Sequence, residues 1–130
     1  FILSVPGMPR RGEICEQPVG MLSLFPTLGE LCHLPPAEGL DGQSFANLIE
    51  NPMGKRERPA LISHGKGNHA LRTDRWRYIR YADGGEELYD HRTDPNEWHN
   101  VADQPESLKI KEDLARWIPV DDVNPRKKKR

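Results

Sequence analysis

The sequence predicts an α/β chain, α+β within its own bounds, in which a four-stranded antiparallel sheet is packed by a C-terminal helix. Three observations carry the prediction. Residues 76–81 set Trp76, Tyr78 and Arg80 against Arg77, Ile79 and Tyr81, the period of two of a strand with both faces in use. Ala82-Asp83-Gly84-Gly85 then tolerates positive φ, and residues 86–89 resume an extended pattern, so a β-hairpin turns at Asp83-Gly84. Near the end, Ile110, Leu114, Trp117 and Ile118 recur at the spacing of one helical face.

Taken in order, Phe1-Ile2-Leu3-Ser4-Val5 reads as a fully buried strand of a parallel sheet. A chain that opens this way is expected to be the C-terminal portion of a larger protein. Pro6-Gly7-Met8-Pro9 ends that strand, and a polar loop follows over 10–17. The first helix covers 23–32, with Ser23 as N-cap and Pro26 in the first turn, where its missing N–H does no harm. Its stripe is Leu24, Leu28, Leu31 and Cys32, with Phe25 beside it; Pro35-Pro36 stops it. His33 reads as a surface or capping group. A turn at Gly39-Leu40-Asp41-Gly42 leads to a short helix over 44–49 that points Phe45, Leu48 and Ile49 inward.

Lys55-Arg56-Glu57-Arg58 reads as a solvated connector, and the pattern changes from helical to extended beyond it. Strands follow at 59–63 and 68–73, completing with the hairpin a meander of short connections. Asp94-Pro95-Asn96-Glu97 is a turn, and Trp98 is expected to plug a hydrophobic seam. The last helix covers 105–118, and Pro119 ends it.

Composition bounds the function. Apolar residues make up 35% and charged residues 30%, with 12 prolines and 11 glycines, a balance suited to a piece that leans on a partner. The formal charge is −1, from 19 basic and 20 acidic residues, yet five of the basic ones are Arg126-Lys127-Lys128-Lys129-Arg130. The body is therefore about −6, which gives no support to nucleic-acid binding. The basic run reads as a solvated tail. Cys15 and Cys32 fall in no Cys-x-x-Cys pair and form no disulfide framework. Cys15, with no base beside it, reads as a structural thiol. No apolar run approaches membrane-spanning length, and no signal peptide is visible.

Two sets of side chains are candidates for ligand chemistry. Arg72, Arg75, Arg77 and Arg80 either present a basic surface to an anion or pair across strands with Glu86, Glu87 and Asp90. Opposite charges at hairpin distance favour the pairs. The loop His64-Gly65-Lys66-Gly67-Asn68-His69 joins two flexible glycines to a point charge, an amide and two imidazoles, a set suited to a sulfated or phosphorylated ligand. The competing reading is a plain hairpin loop. A zinc site on His64 and His69 lacks a third donor. No nucleophile–base arrangement, phosphate-binding loop or dinucleotide fingerprint appears.

Several motifs in order carry a resemblance. Leu-Arg-Thr-Asp-Arg-Trp-Arg-Tyr-Ile-Arg-Tyr (71–81), Glu-Glu-Leu-Tyr-Asp (86–90) and Asp-Pro-Asn-Glu-Trp-His-Asn-Val-Ala (94–102) resemble the C-terminal part of type I sulfatases, with its "ELYDL…DP.E..NLA" pattern. Leu24-Phe25-Pro26-Thr27-Leu28 is similar to the family's "DLYPTL" helix, and Leu40-Asp41-Gly42-Gln43-Ser44-Phe45 to its "LDGRSL" turn. Gly-Asn-His-Ala-Leu-Arg (67–72) is most like bacterial iduronate-2-sulfatase-like proteins.

The resemblance implies an alkaline-phosphatase-like fold, with 1–57 the end of the large α/β domain, 58–119 the C-terminal sheet subdomain with its closing helix, and 120–130 a disordered basic tail. It implies sulfuric ester hydrolysis of a sulfated saccharide or other sulfate ester by a formylglycine beside calcium, in a periplasmic or secreted protein. Formylglycine forms in a Cys/Ser-x-Pro/Ala-x-Arg motif. Cys15 precedes Glu-Gln-Pro and Cys32 precedes His-Leu-Pro, so neither matches. Catalytic and metal-binding residues are accordingly expected in a missing N-terminal part, and the chain alone is expected to be inactive. Substrate-binding residues are expected in the pocket-bordering loop, at His64, Lys66, Asn68 and His69. The alternative is a non-catalytic module that binds anionic or sulfated glycans.

Overall fold

The structure, a computed structural model, describes residues 1–8 and 12–120. Two helices come first: α1 (Leu24–Leu31), entered through a 3₁₀ turn at Met21–Ser23, and the short α2 (Ala46–Glu50). Strands β1 (Ala60–Ser63), β2 (His69–Arg72), β3 (Trp76–Arg80) and β4 (Glu86–Asp90) follow, then a 3₁₀ turn at Pro105–Ser107 and α3 (Leu108–Ala115). The strands pair antiparallel in the order β1-β2-β3-β4, which is the expected meander. Four strands backed by a helix give the α+β arrangement expected of this chain.

Register decides what each face carries. Leu61, Leu71, Tyr78 and Leu88 are Cα partners across all four strands. The last three are buried and form the core with Ala102, Leu114 and Ile118. Helix α3 therefore covers this face, as its spacing predicts, although Trp117 stays part exposed. The next row on the same face is Ser63, His69, Arg80 and Glu86. The opposite face carries Ala60, Arg72, Arg77 and Tyr89 in one row and Ile62, Ala70, Ile79 and Glu87 in another.

Asn100 seals the outer border of β4. Its Oδ1 accepts from the N–H groups of Leu88 and Ala102, each at 2.9 Å, and its Nδ2 donates to the Glu86 carbonyl at 3.1 Å. Beside it the Val101 N–H donates to the Leu88 carbonyl at 2.9 Å. One amide thus stands in for part of a fifth strand.

The first half departs from expectation. No strand forms over 1–5; Ile2 is 95% exposed, and Phe1 rests only edge-on against Phe45 at 5.9 Å. A strand needs a neighbour for its ladder, and no described residue supplies one. On α1 the expected leucine stripe is not the packed face: Phe25 and Leu28 are exposed, while Thr27 is 1% exposed. Its hydroxyl donates to the Ser23 carbonyl at 2.6 Å and accepts from the Phe45 N–H at 2.9 Å, joining α1 to α2. Ser23 makes no side-chain cap. His33 takes the left-handed position after α1, with φ 55°, while the Leu34 N–H closes on the Gly29 carbonyl. On α2, Phe45 and Leu48 are buried as expected, and Ile49 is half-buried.

Trp98 is 76% exposed and plugs no seam, because Asp94 fixes the loop beneath it instead. No helix among the described residues is long and apolar enough to cross a membrane. Except for Val120, the tail expected at 120–130 lies outside the described residues.

Candidate functional site

The loop between β1 and β2 holds the predicted site residues, and the structure gives them unlike roles. His64 and Lys66 are exposed. Asn68 is a clamp: Oδ1 accepts from the Ala82 N–H at 3.2 Å, and Nδ2 donates to the Lys66 carbonyl at 3.2 Å. Gly67, at φ +79°, allows that closeness, since a Cβ there would lie 2.9 Å from the Ala82 methyl. The loop is thereby tied to the β3–β4 turn. His69 is 3% exposed, with its Nδ1 and the Ser63 hydroxyl 2.9 Å apart. The four residues do not converge on one point: two are free to meet a ligand, and two hold the loop in place.

Ser63 carries this row to the rim of a cleft of about 510 Å³. One wall is Leu61 and Ser63 on β1, a second is Arg116 to Pro119 after α3, and the 41–43 turn with Arg56 and Arg58 closes it. The connector read as solvated is therefore partly enclosed. Nη1 of Arg56 is buried without a hydrogen-bond partner. Burial, together with the like charge of Arg58, lowers the Arg56 pKa. The guanidinium of Arg58 lies 5.7 Å from the Trp117 ring centre. Alternation could not reveal this cluster, because it joins residues far apart in the chain and outside any strand or long helix.

The sheet arginines are largely engaged within the chain, but of the expected cross-strand pairs Arg75–Asp90 forms while Glu86 turns to Lys111 and Tyr78 and Glu87 to two tyrosines. Arg75 grips Asp90 through Nε, 3.0 Å from Oδ1, and Nη2, 2.6 Å from Oδ2, which holds the Asp90 carboxyl below its usual range. Arg72 and Arg77 are register partners, a like-charge pair that needs compensation. Glu97, placed by a left-handed φ of 59°, brings Oε1 to 2.8 Å from Arg77 Nε and 2.6 Å from His91 Nε2. Arg72 Nη2 donates to His91 Nδ1 at 2.8 Å. Arginine cannot accept, so Nδ1 is the acceptor and Nε2 carries the hydrogen given to Glu97. Arg80 stands opposite Glu86.

On the uncovered face Glu87 accepts two tyrosine hydroxyls, Tyr81 at 2.9 Å and Tyr89 at 2.8 Å. The carboxylate pushes the Tyr89 phenol up to about 12. No described group of three or more His, Cys, Asp or Glu side chains is arranged to hold a metal ion. The donor set therefore does not fit calcium, and neither cysteine context fits formylglycine.

Comparison with known proteins places this geometry. Residues 1–121 match the family described as N-sulphoglucosamine sulphohydrolase, C-terminal. A "Sulfatase" of Formosa agariphila is 41% identical over 97 residues, covering 75% of this chain and 19% of that protein. A "Delta 4,5-hexuronate-2-O-sulfatase" of Bacteroides thetaiotaomicron is 30% identical over 123 residues, covering 85% and 25%. The chain thus spans about a fifth to a quarter of the length of these relatives. Among solved structures, one in complex with its substrate D-glucosamine-2-N,6-O-disulfate superposes with a TM-score of 0.56 at 21% identity, covering 72% of this chain and 22% of that one. The phosphonate monoester hydrolase of Agrobacterium radiobacter superposes at 0.55 and 23%, covering 72% and 23%. At those identities the two likenesses concern the fold.

Proposed function

The chain belongs to the N-sulphoglucosamine sulphohydrolase C-terminal family, and from that premise we propose that it completes a sulfatase and walls its substrate pocket. In this reading 1–57 ends the large α/β domain and 58–119 is the subdomain that meets substrate. The preceding polypeptide is the partner, and it supplies the nucleophile and the metal ligands, since the described residues suit neither formylglycine nor calcium. A sulfated saccharide is the substrate class, in keeping with the names of the relatives. His64 and Lys66 would reach its anionic groups, while Asn68 and His69 would hold the loop that presents them.

The observation that carries the proposal is the family match over 1–121, joined to an N-terminal half whose Phe1, Ile2, Phe25 and Leu28 are exposed. Apolar side chains in that number suit a surface that another domain covers. The test is the coding region before Phe1, which is expected to contain Cys/Ser-x-Pro/Ala-x-Arg. The longer product should hydrolyse a sulfate ester that this chain alone leaves intact. A stop codon or unrelated sequence upstream would remove the proposal.

A further inference from the structure

The cleft beside β1 gathers more positive charge than negative: Arg56, Arg58 and Arg116 line it against the single lining carboxylate of Asp41. Arg56 and Arg58 both line it, and no described carboxylate forms an ion pair with either. Arg56 keeps Nη1 buried and without an acceptor. A guanidinium nitrogen removed from water without an acceptor is costly, and a second guanidinium nearby adds to the cost. An oxyanion in the cleft offsets the paired positive charge, because its oxygens match the planar fork of arginine.

The other walls say what carries the oxyanion. Trp117 is 39% exposed and lies in the lining, with Arg58 over its ring. Asp41 and Gln43 face the same space. A flat aromatic surface flanked by an acceptor and an amide suits the C–H face and hydroxyls of a sugar. A volume of about 510 Å³ lies within the range of small-ligand sites.

We propose that this cleft binds the sulfo group of a sulfated saccharide, with Arg56 and Arg58 as its guanidinium pair and Trp117 as the sugar-facing ring. The saccharide as carrier rests on the sulfatase reading; the oxyanion chemistry does not.

The experiment titrates the 130-residue chain with inorganic sulfate, and with sulfated and unsulfated forms of one disaccharide, followed by calorimetry and tryptophan fluorescence. Sulfate and the sulfated disaccharide bind saturably, the disaccharide more tightly, and the unsulfated form does not bind. Arg56→Gln weakens binding at least about tenfold, the scale of a charge-assisted hydrogen bond. Arg56→Lys recovers part of it. Where Arg56→Gln lowers the melting temperature, Arg58→Gln carries the test, with the same loss expected. Arg92→Gln and removal of residues 126–130 change nothing.

The proposal is overturned by an absence of saturable binding, by equal binding of both disaccharides, or by loss with the tail. Sulfate binding without disaccharide binding would mark an adventitious ion only and would overturn it too. None of these results touches the hydrolysis test of the longer protein, so the two readings fail separately.

Discussion

Nζ of Lys111 lies 2.6 Å from Oε2 of Glu86, and this contact fastens α3 to the last strand of the sheet. The same carboxylate accepts the Tyr78 hydroxyl. Lys111 first, then Tyr78, holds the Glu86 carboxyl below its ordinary value of 4.5, and Arg75 does the same for Asp90, ordinarily 3.8. A lowered folded pKa stabilises above the ordinary value and is lost as pH falls through the folded one. The melting temperature should hold steady down to about pH 5 and then fall. Glu86→Gln should cost about 1 kcal/mol at neutral pH and soften the acid limb. Parallel melting curves for the two proteins would leave the pair without a role.

At the alkaline end the sign reverses. Glu87 raises the Tyr89 phenol to about 12, from an ordinary 10. A raised folded pKa stabilises below the ordinary value and is lost as pH climbs toward the folded one. In ultraviolet absorbance titration the Tyr89 phenol should ionise late, alongside the raised phenols of Tyr78 and Tyr81, and Glu87→Gln should bring the Tyr81 and Tyr89 phenols back toward 10. No movement would mean that the two tyrosines do not share that carboxylate in solution.

Asn100→Ala should destabilise by about 2 kcal/mol, because three backbone groups at the border of β4 lose their partner. Asn100→Asp keeps the acceptor and loses the donor, so it should fall between wild type and alanine. Chemical denaturation of the three proteins checks the order.

Gly67→Ala joins a positive φ to a Cβ 2.9 Å from Ala82 and should cost roughly 1–3 kcal/mol. Gly65, also at positive φ but in open space, should be less sensitive. Thermal melts separate the two.

On the proposed reading of the β1–β2 loop, His69→Ala in the longer enzyme should lower kcat/KM, because the loop loses the imidazole beside Ser63. On the same proposal Lys66→Ala should chiefly raise KM, because the exposed Lys66 would act by binding alone. Steady-state kinetics with one sulfate ester tests both. Equal rates across the set would make the loop a plain connection.

The meander was legible because strand alternation and turn glycines are local signals. Leu71, Tyr78 and Leu88 are its period of two made visible, and Leu114 and Ile118 match the helical spacing. Phe1–Val5 and the α1 stripe find no cover among the described residues, because an apolar run declares that something covers it but not what. Trp98 failed similarly, since aromatic size predicts burial while the Asp94 bonds that set its backbone leave no trace in hydropathy. In the site, residue types marked the β1–β2 loop correctly as a turn with polar side chains. That Asn68 would brace Ala82, and that Arg56 would lose its acceptor, depends on folding that brings distant segments together.

The border guarded by Asn100 gives the sheet a direction. Leu88 has spent both its amide and its carbonyl on the 100–101 segment, and the Glu86 carbonyl is also taken, so an incoming strand finds no free rungs there. The two edges of the sheet are thus unlike: along Leu88 the chain closes its own border, while Ala60–Ser63 at the other edge rims the arginine cleft.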